Sequence, residues 1–332
     1  MKRFTKLVMV LLAAGLIFAG CRKEEQAGAA KIGVTFAGTE GATSGQSRMM
    51  QEAADILNAT GRFDVKVYVA GALPGDTDNL VTQARLGVNL VVPSDPGRLA
   101  SQFNIPDLNI LMAPYVLTDY TILEKLPETA LYKEWQAQLE KEGIVLLADM
   151  FNGFRSFYTT TPVANVAGLS GLRIRGFGNA IGQALAKYLG YAQTTVNATD
   201  IYAGIQAKTL DGCEIQASTA DSYRLYEVTP YLALTKHYML QSSFVCGKTL
   251  LDTMSPEDRE FFIKTIYETA AKYSQIIASE EQSYYDGFKT KGMTVAELDI
   301  AEFEAAIAPL YTNNDLGLTP GLKERLFGEL GL

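Results

Sequence analysis

The chain has 332 residues, 29 Lys and Arg against 37 Asp and Glu, a formal net charge of -8 and 48% hydrophobic residues. So acidic a body excludes nucleic-acid binding through phosphate neutralisation, and a chain of this length exceeds one compact core, so two lobes are expected. The single histidine, His237, has apolar and basic neighbours and marks no metal-ligand cluster.

The first twenty residues place Lys2, Arg3 and Lys6 ahead of an apolar run from Leu7 to Ala19. That run falls short of the about 20 apolar residues a spanning helix needs and reads as an export signal. Its removal takes away three positive charges and moves the formal charge from -8 to -11. The run ends Ile17-Phe18-Ala19-Gly20-Cys21, and small residues before a cysteine resemble the bacterial lipobox. Cys21 is thus expected to be the lipid-modified, palmitoylated N-terminus of an exported lipoprotein, with residues 21–30 as a flexible tether. After Ala19 no apolar run is long enough to cross a bilayer.

From Lys31 strand and helix signals alternate. Ile32 to Phe36 is expected as a strand, and Ser44 to Ala59 as an amphipathic helix with Met49, Ala53, Ile56 and Leu57 on one side. A strand at Val65 to Val69, a turn at Leu73-Pro74-Gly75-Asp76, a helix from Asp78 to Leu86 and short strands at Leu90 to Val92 and Leu108 to Met112 follow. Helices around Ile122 to Lys141 lead into a strand at Ile144 to Asp149. Beyond Gly153 come strands at Ser156 to Thr160 and Leu172 to Arg175, a helix from Ala180 to Leu189 and a strand near Gln193 to Val196. A helix from Thr199 to Ala207, a strand at Cys213 to Gln216 and a strand pair near Tyr231 to Leu234 and Ser243 to Cys246 complete the alternation. Ser255-Pro256-Glu257-Asp258 then offers a cap residue, a proline at the first helical position and acid in the first turn. The helix it opens runs to about Gly287, roughly 50 Å at about 1.5 Å per residue, long enough to brace two lobes. Strands separated by such helices imply parallel sheets covered on both faces. Cys213 and Cys246 are expected as separate buried residues rather than a pair.

The stretch Arg175-Gly176-Phe177-Gly178-Asn179-Ala180-Ile181-Gly182 matches a dinucleotide fingerprint only in part. Gly176 and Gly178 fit, but Ile181 takes the third small position, and the acid expected about 20 residues on is missing from Val196-Asn197-Ala198. No Gly-x-Ser-x-Gly elbow accompanies His237, and nothing marks Asp211 and Glu214 as a catalytic pair, so neither an enzyme nor a cofactor is expected. Two arginines stand out instead. Arg155 follows Asn152-Gly153-Phe154, and Arg175 ends a strand, where open α/β sheets keep their ligand crevices. A guanidinium keeps its charge when desolvated and grips a carboxylate through two parallel hydrogen bonds. The two arginines suit a small organic anion or, alternatively, two structural ion pairs.

Asn152-Gly153-Phe154-Arg155, Thr159 to Val163, Leu169 to Arg175, Ile201 to Gln206, Leu210-Asp211-Gly212-Cys213-Glu214, Tyr226-Glu227-Val228 and Leu234-Thr235-Lys236-His237 resemble, in order, the signature of one family. It is the DctP-like substrate-binding proteins of TRAP (tripartite ATP-independent periplasmic) transporters. The resemblance implies an α/β, periplasmic-binding-protein-like fold of two lobes, with a cleft between them and a long helix spanning both. It assigns residues 31–151 and about 241–280 to one lobe, 152–240 and about 281–315 to the other, and 316–332 to a C-terminal segment. It further implies that Arg175 pairs with the ligand's carboxylate, that Arg155 assists, and that membrane permease subunits receive the ligand without any catalysis. The implied location is the periplasm, with the lipid on Cys21 holding the protein to a bacterial membrane.

Two departures bear on the ligand. Where the family usually has Asn-Pro after Asp211-Gly212-x-Glu214, this chain has Ile215-Gln216, and Ala198 stands where several members place an aromatic ring. Both predict a roomier, more apolar pocket, lined also by Phe154, Phe177, Tyr238 and Met239, with Asn152 and Thr35 completing the candidate set. The expected ligand has one acidic end and a hydrophobic body, such as a fatty, aromatic or branched keto acid, and is not sialic acid or a small dicarboxylate. A periplasmic helical-repeat protein, used by some members for hydrophobic cargo, is a compatible partner. A sensor or scavenger lipoprotein without a permease stays open as an alternative, as does an exported enzyme.

Overall fold

In the computed structural model, which describes residues 30–332, β1 (Ile32–Ala37), β2 (Phe63–Tyr68) and β3 (Leu90–Ser94) run parallel. The export signal and Cys21 lie outside the described residues. β4 (Ile144–Thr159) is followed by β5 (Arg173–Arg175), β6 (Ala192–Thr194) and β7 (Gly212–Gln216), where β5 pairs in parallel with both β6 and β7. β8 (Tyr231–Gly247) and β9 (Thr294–Glu297) complete a nine-stranded sheet ordered β2-β1-β3-β8-β4-β7-β5-β6, with β9 against β8.

The expected parallel pairing holds at the two flanks, but the middle is antiparallel: β3 pairs with β8, and β4 pairs with both β7 and β8. The reason is that β4 and β8 are each one continuous strand. The strands expected at Ile144 and Ser156 are two parts of β4, and those expected near Tyr231 and Ser243 are two parts of β8. Residues 144–151 pair with 241–247 beside β3, and residues 154–159 pair with 231–239 beside β7. Between these stretches the register shifts from Phe151 to Phe154, and Gly153 takes φ 107°, a conformation that glycine adopts without strain. Such bulges bend a strand and recur beside functional sites.

The run Leu108 to Met112 belongs to a 3-10 helix, Pro106–Met112, in place of the expected strand. All five of those residues are buried, and a short apolar run buried all round does not distinguish helix from strand by its periodicity.

The long helix reaches Pro256–Thr290, 35 residues, or about 50 Å at about 1.5 Å per residue. The Ser255 side chain accepts from Asp258 N at 3.1 Å, closing the predicted cap. Its Phe262, Ile266, Ala270, Tyr273 and Ile277 pack into the larger of two hydrophobic clusters, around β1 to β4. Its Tyr285 and Phe288 pack into the smaller, with Ile201, Cys213, Ile215 and Leu232. One helix therefore ties both halves of the sheet together. Residues 31–332 form one compact unit, in which Cys213 and Cys246 are buried and unpaired.

Candidate functional site

Strand ends and helix starts converge on a cleft of about 980 Å³. Thr39, residues 73–79 and Arg98 line it from the β1 to β3 half, and residues 175–179 and 195–200 from the β5 to β7 half. A smaller chamber of about 60 Å³ shares Thr39, Thr77, Arg98, Arg175, Phe177 and Ala198 with it.

The local sequence explains the polarity of these walls. Asp76, Asp95 and Asn179 cap the helices Thr77–Arg85, Pro96–Gln102 and Ala180–Leu189, accepting from Asn79 N, Arg98 N and Gly182 N at 2.9, 2.9 and 3.0 Å. Short polar side chains are required there because the first turn of a helix has free N–H groups. Arg98 follows one turn after β3 and holds Asp95 at 2.9 Å.

Three guanidiniums surround the Phe177 ring, with Cζ atoms 4.9 Å (Arg98), 4.3 Å (Arg155) and 5.6 Å (Arg175) from its centroid. Arg155 is buried, and each of its three guanidinium nitrogens donates a hydrogen bond. Its Nε donates to Glu214 Oε2, one Nη to the Glu214 carbonyl oxygen and the other to Gln216 Oε1 at 3.0 Å. Burial alone would raise the pKa of Glu214, but the Arg155 charge, with help from His237, brings it down to about 2. Tyr238 donates its hydroxyl to Glu214 at 3.2 Å, and His237 Nε2 stands 3.5 Å from the same carboxylate. His237 is a core residue stacked on Phe157 at 4.8 Å, and burial lowers its pKa.

Arg175 differs from its neighbours. It is 4% exposed, and its one hydrogen bond among the described residues runs from Nε to Val196 O at 3.2 Å. Burial first, then the charges of Arg155 and Arg98, pull its pKa down to about 10. No carboxylate of the described residues lies within ion-pairing distance of it.

Of the residues expected at the site, Arg155, Arg175, Phe177, Ala198, Ile215 and Gln216 come together around the chamber. Asn152, Phe154, Thr35, Tyr238 and Met239 line neither cavity. Asn152 instead donates to Glu40 at 2.9 Å and to Ser242 at 3.1 Å, and Phe154 packs edge-on against Phe151 at 5.2 Å. Tyr238 and Met239 are buried core residues of β8, and Thr35 pairs with Lys66 and Leu90 inside the sheet. Ala198 and Ile215, the basis of the expected apolar pocket, line the chamber together with Phe177 and Leu240. Their neighbours in the chamber include Thr39, Glu40, Gln46, Ser94, Asp95 and Gln241, contributed by the loop after β1, the helix Gly45–Ala59, the end of β3 and the residue after it, and β8, all far away in sequence. Arg98 escaped the sequence reading although Asp95-Pro96 announces a helix start directly after β3.

The halves approach closely at Gly97, where a Cβ would stand 2.5 Å from Asn179 Nδ2 and 3.2 Å from Ile181 Cδ1. Asn179 is held by its capping bond to Gly182 N. Gly97→Val is expected to leave both halves folded but keep the cleft ajar, weakening ligand binding by about tenfold or more. Small-angle scattering at saturating ligand checks this: a radius of gyration equal to that of the wild type contradicts it.

Residues 39–315 match the DctP family, bacterial extracellular solute-binding protein family 7. The sialic acid-binding periplasmic protein SiaP of Vibrio cholerae is 24% identical over 275 residues, 82% of this chain and 85% of that one. The C4-dicarboxylate-binding periplasmic protein DctP of Rhodobacter capsulatus is 25% identical over 254 residues, 76% and 75% of the two chains. A TRAP periplasmic solute-binding protein of Actinobacillus succinogenes 130Z, solved with bound L-galactonate, has a TM-score of 0.85 at 24% identity and covers 90% of this chain and 99% of its own. That likeness shows the two-lobed α/β fold. The chain belongs to the DctP family, bacterial extracellular solute-binding protein family 7, and is a substrate-binding protein of the TRAP kind.

Proposed function

We propose that the protein captures a small, hydrophilic organic acid in the cleft, closes on it and hands it to TRAP permease subunits in the membrane, with no catalytic step. One observation carries this reading: Arg175 is buried without a carboxylate partner among the described residues, while Arg155 and Arg98 are already paired. A buried charge is costly until it is met, and a ligand carboxylate meets a guanidinium with two parallel hydrogen bonds. The names of the relatives agree in kind, since sialic acid, a C4-dicarboxylate and L-galactonate all carry a carboxylate. We favour a hydrophilic body over the hydrophobic one expected from Ala198 and Ile215, because polar and charged side chains outnumber apolar ones on both linings. Such cargo needs no helical-repeat carrier. We place the protein in the periplasm, held by a lipid on Cys21, with lobes of 31–151 plus about 241–280 and 152–240 plus about 281–315. Mass spectrometry of small molecules released by denaturing the protein purified from its native host tests the reading. A small water-soluble carboxylic acid is expected; a neutral solute or a long-chain fatty acid would overturn it.

A further inference from the structure

We propose that Glu40 determines specificity by accepting a hydrogen bond from a hydroxyl or ammonium group on the bound acid, so that the ligand must carry such donors as well as its carboxylate. This rests on the assignment of Arg175 to the carboxylate and names what the rest of the ligand presents.

Glu40 lies in the loop between β1 and the helix Gly45–Ala59 and is 8% exposed. Its Oε1 accepts from Asn152 Nδ2 at 2.9 Å and from Gln216 Nε2 at 2.8 Å, which fixes the carboxyl group in place. Its Oε2 is buried and belongs to a side chain lining the same chamber as Arg175. The Ser44 and Thr219 hydroxyls come near enough to the carboxyl group to favour its charged form, but neither reaches Oε2 in hydrogen-bonding geometry. Buried polar atoms in folded proteins are nearly always paired, and an orphan at a cavity wall points to a missing ligand contact.

Two further atoms on the chamber share this condition. Gln241 donates its amide nitrogen to Leu111 O at 2.8 Å, which leaves its buried Oε1 as an unpartnered acceptor. Ser94 Oγ is likewise buried and unpartnered. Arg175 thus supplies donors, whereas Glu40 and Gln241 supply acceptors and Ser94 can serve as either. An acid made of a carboxylate and a hydrocarbon chain satisfies Arg175 and leaves the acceptors unmet; a hydroxylated or aminated acid satisfies both. Gln216 has a definite role here, because this residue, a departure from the family's usual Asn-Pro, links Arg155 of the anion-binding side to Glu40 of the opposite half.

Calorimetric titration with gluconate, galactonate, galacturonate, 6-aminohexanoate and hexanoate tests the proposal on the wild type, Glu40→Gln and Arg175→Ala. The wild type should bind at least one donor-bearing acid about a hundredfold more tightly than hexanoate, as expected of a site whose buried acceptors demand a partner. Glu40→Gln, which turns an acceptor position into a donor, should lose about tenfold or more for that acid and nothing for hexanoate. Ser94→Ala removes a hydroxyl with no partner inside the protein and should show a smaller loss in the same direction, even if Glu40→Gln fails to fold. Hexanoate binding as tightly as the donor-bearing acids, no donor-bearing acid binding the wild type, or unchanged affinity in the folded Glu40→Gln variant would each overturn the proposal. An unchanged affinity in Arg175→Ala alone would instead overturn the carboxylate assignment, which keeps the two failures apart.

Discussion

Arg175→Ala is expected to weaken binding of the natural acid by on the order of 2–5 kcal/mol, roughly 30-fold to several thousandfold, as for a buried ion pair that loses one member. In the same variant the unliganded protein should melt at or above the wild-type temperature. The second half follows from the electrostatics around Arg175. Burial and the charges of Arg155 and Arg98 lower the pKa of Arg175 to about 10, so its folded-state pKa lies below the unfolded one. At neutral pH the charged side chain therefore opposes folding in the absence of ligand, and an arriving carboxylate relieves that opposition. Titration calorimetry with the acid and thermal melts without it separate the two effects. Unchanged affinity would remove Arg175 from the site, and a large drop in the unliganded melting temperature would make it a structural arginine.

Glu214→Gln should destabilise the fold by about 3–5 kcal/mol near neutral pH, because it leaves the Arg155 charge buried without its counter-ion. Glu214 is 0% exposed, receives the Arg155 Nε, and accepts the Tyr238 hydroxyl at 3.2 Å. Its pKa of about 2 lies below the ordinary carboxylate value, so the pair's contribution is complete above about pH 4.5 and is lost as the pH falls through about 2. Glu40 and Asp95 shift the other way, their pKa values raised chiefly by burial, but both are present in wild type and variant and so cancel in the difference. Chemical denaturation at several pH values should show the stability gap between the two proteins narrowing from pH 5 towards pH 2. A gap that stays constant would mean that Glu214 is not the titrating partner of Arg155.

Much of the frame was legible in the sequence because its signals are local. Ser255-Pro256 announced the long helix, glycine and proline turns separated the flanking strands, and Arg175 could be singled out by its place at a strand end. What stayed hidden depends on contacts between distant residues. Asn152-Gly153 looks like a turn in the sequence, yet β8 pairs on both sides of it and holds β4 together as one strand. The chamber walls come from the loop at Glu40, the end of β3 at Ser94, β7 at Gln216 and β8 at Gln241, and no window of sequence holds these four together. Ala198 and Ile215 were therefore weighed without the polar neighbours that outnumber them. The pairing of Arg155 with Glu214 was equally hidden, because a buried carboxylate with a lowered pKa and a surface one look alike in sequence.

A crystal structure of the protein with the acid it retains from its host tests the central claim most directly. The account predicts the carboxylate within about 3 Å of the Arg175 guanidinium, inside the chamber beside Phe177, with Arg155 still paired to Glu214. A carboxylate bound elsewhere, with Arg175 left unpaired, would contradict it.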